Sequence, residues 1–213
     1  MSINNIPNIL FISSSHRCHP YILDFVVAAS SIGSYFKIYH GEQVTSFAPH
    51  LSNGKPMYPT ASFEGKASGK SVEFVPDDLL RAVFLHNDRS QPIPYIIQPA
   101  FTQISGAATD AMAETLEGLA QAMFTGFWEN NLAAIEMAHG KRKNENWPAV
   151  LKFAAVIRDT MSHGGVLNMY SSVPPVSHFN LTYEKTNNGR KIIHNDLTCA
   201  DIFFLMLAVN AEF

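Results

Sequence analysis

The sequence predicts a mostly α fold: a helical bundle with a β-hairpin inserted between its last two helices. Three observations predict it. Residues 102 to 139 carry Met112, Leu116, Leu119, Met123, Phe127 and Ala134 at helical spacing, and Gly140 stops the run. Residues 147 to 163 repeat that pattern through Phe153, Ala154, Ile157 and Met161, with Pro148 suited to a first turn and Gly164-Gly165 closing it. Residues 197 to 210 are strongly apolar and open on Thr198 and Asp201, the spacing of a capping box.

Taken in order, Ile9 to Ile12 is a short apolar run that suits a strand or a buried turn. Tyr21 to Phe36 predicts a helix, with Ile22, Phe25, Val26, Ala29 and Ile32 forming one apolar stripe. Residues 44 to 76 are rich in Gly, Pro, Ser and Lys and lack periodicity, so they read as a loop region or a small β excursion. Asp77 to Leu85 reads as a short helix, because its first turn is acidic. The two prolines of Gln91-Pro92-Ile93-Pro94-Tyr95 predict a connector. The long run that follows is one helix or two broken around Gly126 or Asn130-Asn131, and Lys141 to Asn146 is a charged turn. Val176 to Tyr183 and Arg190 to Ile193 flank Asn187-Asn188-Gly189, which predicts a hairpin. Residues 1–100 thus form an N-terminal elaboration (helix, loop-rich segment, short helix) packed on a helical domain of residues 101–213.

Composition narrows the function classes. With 46 % hydrophobic and 15 % charged residues, the 213-residue chain is globular and long enough for a sizeable core. Fifteen Phe and few charges predict apolar surface buried against a second subunit. A net charge of −3 gives no basic footprint for gripping long nucleic acid, so any RNA site must be local. Cys18 and Cys199 have neither metal-ligand spacing nor a disulfide framework, which fits a reducing compartment. The opening residues lack a signal-peptide pattern, and Ile202 to Val209 is too short to span a bilayer. These features predict a cytoplasmic protein with no membrane partner.

Four constellations carry potential chemistry. In Arg158-Asp159-Thr160-Met161-Ser162-His163, a cation, a carboxylate and an imidazole gather at a helix end. An arginine can stabilise growing charge on a phosphate, and a histidine can move a proton near neutrality. Alternatively, His163 simply caps the helix and favours its dipole. Gly65-Lys66-Ala67-Ser68-Gly69-Lys70-Ser71 looks like a phosphate loop, but Glu64 stands where that pattern needs glycine, and a strand-like segment follows in place of a helix. His16, Cys18 and His19, with His40 and His50 downstream, lack the second ligand pair of a zinc site. Glu114 and Glu117, with His178 and Tyr183, are possible neighbours of the helix-end site or plain surface and strand residues.

The Arg-(Asn/Asp/His)-x-x-x-His pattern at 158–163, followed by glycine, resembles the signature of the HEPN superfamily, in an uncharacterised bacterial branch. The apolar helix before it, the hairpin and the last helix at Asp196 to Asp201 are similar in order, over roughly residues 100 to 213. The resemblance implies a HEPN-like helical bundle and a metal-independent endoribonuclease that needs no cofactor. It also implies a composite site at a homodimer interface, with a toxin or defence role and an antitoxin or other partner protein. His163 would be the acid/base, Arg158 the phosphate clamp and Asp159 the orienting group, where asparagine is the commoner residue. The alternative is a non-catalytic HEPN-like module that binds a nucleotide or interacts with a protein.

Overall fold

The computed structural model describes residues 9–39, 50–52, 55–57, 61–74, 76–100, 110–141 and 146–213. The start of the expected long helix before Asp110, His40 and most of the charged turn after Gly140 lie outside these residues. The chain divides into two compact units, Met1–Phe63 with Ser71–Pro99, and Glu64–Lys70 with Ala100–Phe213.

The first unit is a mixed α/β structure, where the sequence predicts a helix, a loop-rich segment and a short helix, with a strand at 9–12 and a small β excursion in 44–76 as open alternatives. It contains β1 (Leu10–Ile12), α1 (His19–Tyr39), the short strands β2 (His50–Ser52) and β3 (Lys55–Met57), and β4 (Ala61–Glu64). Then come β5 (Lys70–Phe74), α2 (Asp77–His86) and β6 (Ile93–Pro99). Four of the strands form a sheet in the order β1-β6-β5-β4, while β2 pairs with β3. The proline-containing segment expected to be a connector is therefore the strand beside β1, with Pro94 opposite Phe11 in an antiparallel register. Strands of three to seven residues carry too little alternation to be read reliably from sequence.

Helix α1 buries its apolar stripe, Ile22, Phe25, Val26 and Ala29, and meets β4 through Phe25. The Phe25 ring lies 5.3 Å from that of Phe63 on β4, which in turn lies 6.2 Å from Phe74 on β5. The buried His19 ring sits 2.8 Å from the Gln91 carbonyl, which accepts from its Nε2–H and ties the start of α1 to the approach of β6.

The second unit is built on three helices: α3 (Asp110–His139), α4 (Ala149–Ser162) and α5 (Cys199–Asn210). Within the described residues α3 is unbroken; Gly126 and Asn130-Asn131 do not interrupt it. Asn131 is buried and satisfies its amide locally by donating to the Phe127 carbonyl at 2.8 Å. Helix α5 is apolar on nearly every side and correspondingly buried, including Ile202, Phe203, Leu205, Met206 and Val209. Burying a side chain of that size contributes about 1.5–3 kcal/mol. Phe124, Trp128 and Trp147 continue this core, with neighbouring ring centroids 6.3 and 6.1 Å apart.

The hairpin between the last two helices exists, but its strands differ from the expectation. It joins β7 (Val176–His178) to β8 (Leu181–Tyr183), with Phe179 at a φ of 52° in the turn. Asn187-Asn188-Gly189 instead closes a single 3-10 turn after Glu184, and Lys191 bridges back to Val166. No helix among the described residues is long and apolar enough to cross a membrane.

Both cysteines are buried, one in each unit, and neither forms a disulfide. Burial pushes the Cys18 thiol up to about 11 and the Cys199 thiol up to about 12, the latter helped by the charge of Glu117. Both thiols should resist a disulfide-exchange reagent at about pH 8 in the folded protein and react fully in urea. Stoichiometric labelling of the native protein would show that one of these sites opens readily.

Candidate functional site

Helix α4 brings Arg158 and Asp159 to its last turn and stops at His163, because the chain reverses through Gly164 and Gly165 at φ of 66° and 81°. A side chain at Gly165 would meet Ile193 at 3.0 Å, and the Gly165 carbonyl accepts from the Ile192 amide at 2.9 Å. The glycine pair thus lets the segment 190–197 lie against the end of α4.

His163 is exposed, and its Nδ1 lies 2.7 Å from the Asp159 carbonyl oxygen. A carbonyl can only accept, so Nδ1 must carry the proton. In the neutral ring the lone pair is then on Nε2, the nitrogen left for a ligand. The sequence reading of a capping histidine and that of an acid/base are therefore compatible: the cap sets the tautomer.

Arg158 is placed differently. Its side chain is 25 % exposed, with Nε 2.5 Å from Glu129 on α3 and an Nη 3.3 Å from Asp159. The Nε–H is not aligned on the Glu129 oxygen, so this is a charge contact more than a linear hydrogen bond. Two carboxylates thus neutralise the one guanidinium expected to clamp a phosphate. Residues five apart also differ by about 140° around a helix, so Arg158 and His163 do not share one face. The structure pairs the Arg158 and Asp159 side chains and holds His163 on the Asp159 backbone carbonyl.

The glycine-rich loop has a clear structural role. Residues 65–70 join β4 to β5, and the Ala67 and Ser68 amides donate to the Asp201 carboxylate at 3.2 and 2.8 Å. The Thr198 amide donates to the same carboxylate at 3.0 Å, completing the capping box of α5. The one proton of the Thr198 hydroxyl goes to the Glu64 carbonyl at 2.5 Å. A Cβ at Gly65 would stand 2.5 Å from Asp201, so glycine is needed for this close approach. The loop's anion-binding amides are occupied by the chain's own carboxylate.

The remaining candidates separate. Among the described residues no group of three His, Cys, Asp or Glu could hold a metal ion. His16 contacts the Ser13 carbonyl and His19 that of Gln91. Glu114 is exposed, whereas Glu117 is buried beside His194, a residue the sequence did not single out. Tyr183 is buried and donates to Asp196 at 3.1 Å, and its ring stacks on Phe153 at 5.7 Å. His178 also packs on Phe153, at 5.6 Å, so both hairpin residues serve the core beside α4. No family model, curated protein or solved structure matches this chain.

Asp201→Ala should cost at least about 3 kcal/mol in urea unfolding, since several hydrogen bonds to a charged group, each worth about 1.5–3 kcal/mol, lose their acceptor. A loss no larger than that of an average surface substitution would mean that the carboxylate does not organise the loop. Burial lowers the pKa of His178 below its ordinary 6.5. The stability gained from the neutral ring is present above that unfolded value and is lost as pH falls through the depressed folded one. Melting temperature should therefore drop as pH falls below about 6.5, and His178→Phe should flatten that drop. An equal drop in both proteins would assign it to other groups.

Proposed function

We propose that the chain is a HEPN-like, metal-independent endoribonuclease that acts as a homodimer. The observation that carries this is His163, an exposed imidazole at a helix end whose Nδ1–H is held by a backbone carbonyl. Its Nε2 takes the proton from a ribose 2′-hydroxyl. The 2′-oxygen then bonds to phosphorus, the bond to the 5′-oxygen breaks, and that oxygen leaves with a proton. The products are a 2′,3′-cyclic phosphate and a 5′-hydroxyl. A twofold pairing of α4 ends supplies a second imidazole as the acid. Arg158 stabilises the charge on the phosphate once it exchanges Glu129 for RNA.

The Arg158–Glu129 contact favours a second reading, a non-catalytic HEPN-like module that binds a nucleotide or a protein partner such as an antitoxin. In it, Arg158 is a strut between α3 and α4.

Incubation with mixed single-stranded RNA in EDTA separates the two. The wild type should cleave, and His163→Ala and Arg158→Ala should each slow cleavage by about a hundredfold or more. Glu129→Gln should cleave several times faster, because it releases the guanidinium. Intact RNA with all four folded proteins, or a dimer absent in sedimentation at working concentration, would leave the binding module as the function.

A further inference from the structure

The segment 190–197, which lies against Gly165, holds a cluster that the α4 site does not use. Arg190 pairs with Asp196 at 2.5 Å, and Asp196 also accepts from Tyr183, so the segment is pinned at both ends. Between these anchors His194 adopts a φ of 78°, a conformation that is costly for any residue with a side chain. Two contacts hold it there: its amide donates to the Leu197 carbonyl at 2.8 Å, and Lys66 Nζ donates to its carbonyl at 3.0 Å. The strained backbone places Nδ1 of the ring 2.7 Å from Glu117 on α3. The N–H is not in line with that oxygen, so the contact is not a linear hydrogen bond. Glu117 is deeply buried, while the His194 side chain is 45 % exposed, so Nε2 is the nitrogen offered outward.

The charges around this pair are unequal. Burial raises the Glu117 pKa, against the opposing pull of His194, Lys66 and Lys191. The Cys199 thiol of α5 also lies within the field of Glu117. Asp201 is already saturated by three backbone amides. Two exposed lysines, Lys66 on the His194 carbonyl and Lys191 within the field of Glu117, therefore accompany the imidazole, while the Glu117 carboxylate is buried behind the ring. This arrangement attracts an anion to the outer side of His194.

We propose that His194, Lys66 and Lys191 form a binding site for a small phosphate ester, with Glu117 as the residue that positions the imidazole. Lys66 and Lys191 supply charge, and the Nε2–H of the imidazolium donates to a phosphate oxygen. Glu117, beside Nδ1, keeps the ring turned so that Nε2 faces outward. The site stands independently of the ribonuclease reading, since it uses neither Arg158 nor His163.

The test is an NMR titration of the His194 ring resonances in the full 15N-labelled chain with inorganic phosphate, at constant ionic strength set by chloride. The ring should shift saturably with phosphate and not with chloride. A Lys66→Gln/Lys191→Gln variant should bind about tenfold more weakly or worse, as expected for lost charge-assisted contacts. Arg158→Ala should bind like the wild type, which separates failure here from failure at the α4 end. Both lysines are exposed, so the double variant should fold, and its backbone spectrum checks that it does. A ring that ignores phosphate, responds equally to chloride, or responds unchanged in the folded double variant overturns the proposal.

Discussion

The second unit depends on one buried carboxylate. Asp201 sits in the first turn of α5, where the helix dipole favours negative charge, and is fully buried. A charge so placed is tolerable only if its lone pairs are filled, and three backbone amides fill them. The requirement is mutual, because the Ala67 and Ser68 amides would otherwise lose water without gaining an acceptor. This exchange fixes the 64–70 loop to the start of α5. It also sets Lys66 where it can reach the His194 carbonyl, so the strained backbone at His194 depends on the same bond set.

The same logic explains two other features. A loop that resembles a phosphate cradle and an arginine that resembles a phosphate clamp are both occupied by internal carboxylates, Asp201 in one case and Glu129 with Asp159 in the other. A chain with net charge −3 has carboxylates enough to do this.

The fold was legible where periodicity is long. Helices α3, α4 and α5 follow from apolar spacing, and α5 begins at the capping box that Thr198 and Asp201 announce. The four-stranded sheet was not legible, since β1 and β4 span three and four residues and β6 contains prolines that usually forbid a strand. The hairpin turn lies earlier than the sequence predicts, because Asn187-Asn188-Gly189 is the stronger turn signal. The tighter reversal at Phe179-Asn180 is carried by a positive φ that no sequence rule expects of phenylalanine.

By itself, the sequence determined the three helices of the second unit, the stop at Gly164-Gly165, and the position of His163 at the C-terminal end of α4. These are local: spacing, caps and glycine conformations act within a few residues. Only the tertiary structure decided the partners. Glu129 meets Arg158, Glu117 meets His194, and Asp201 meets the 65–70 loop across separations that no periodicity encodes. Each pairing is set by where a packed core leaves a charge, and burial forces that charge to find whatever group the fold has brought beside it.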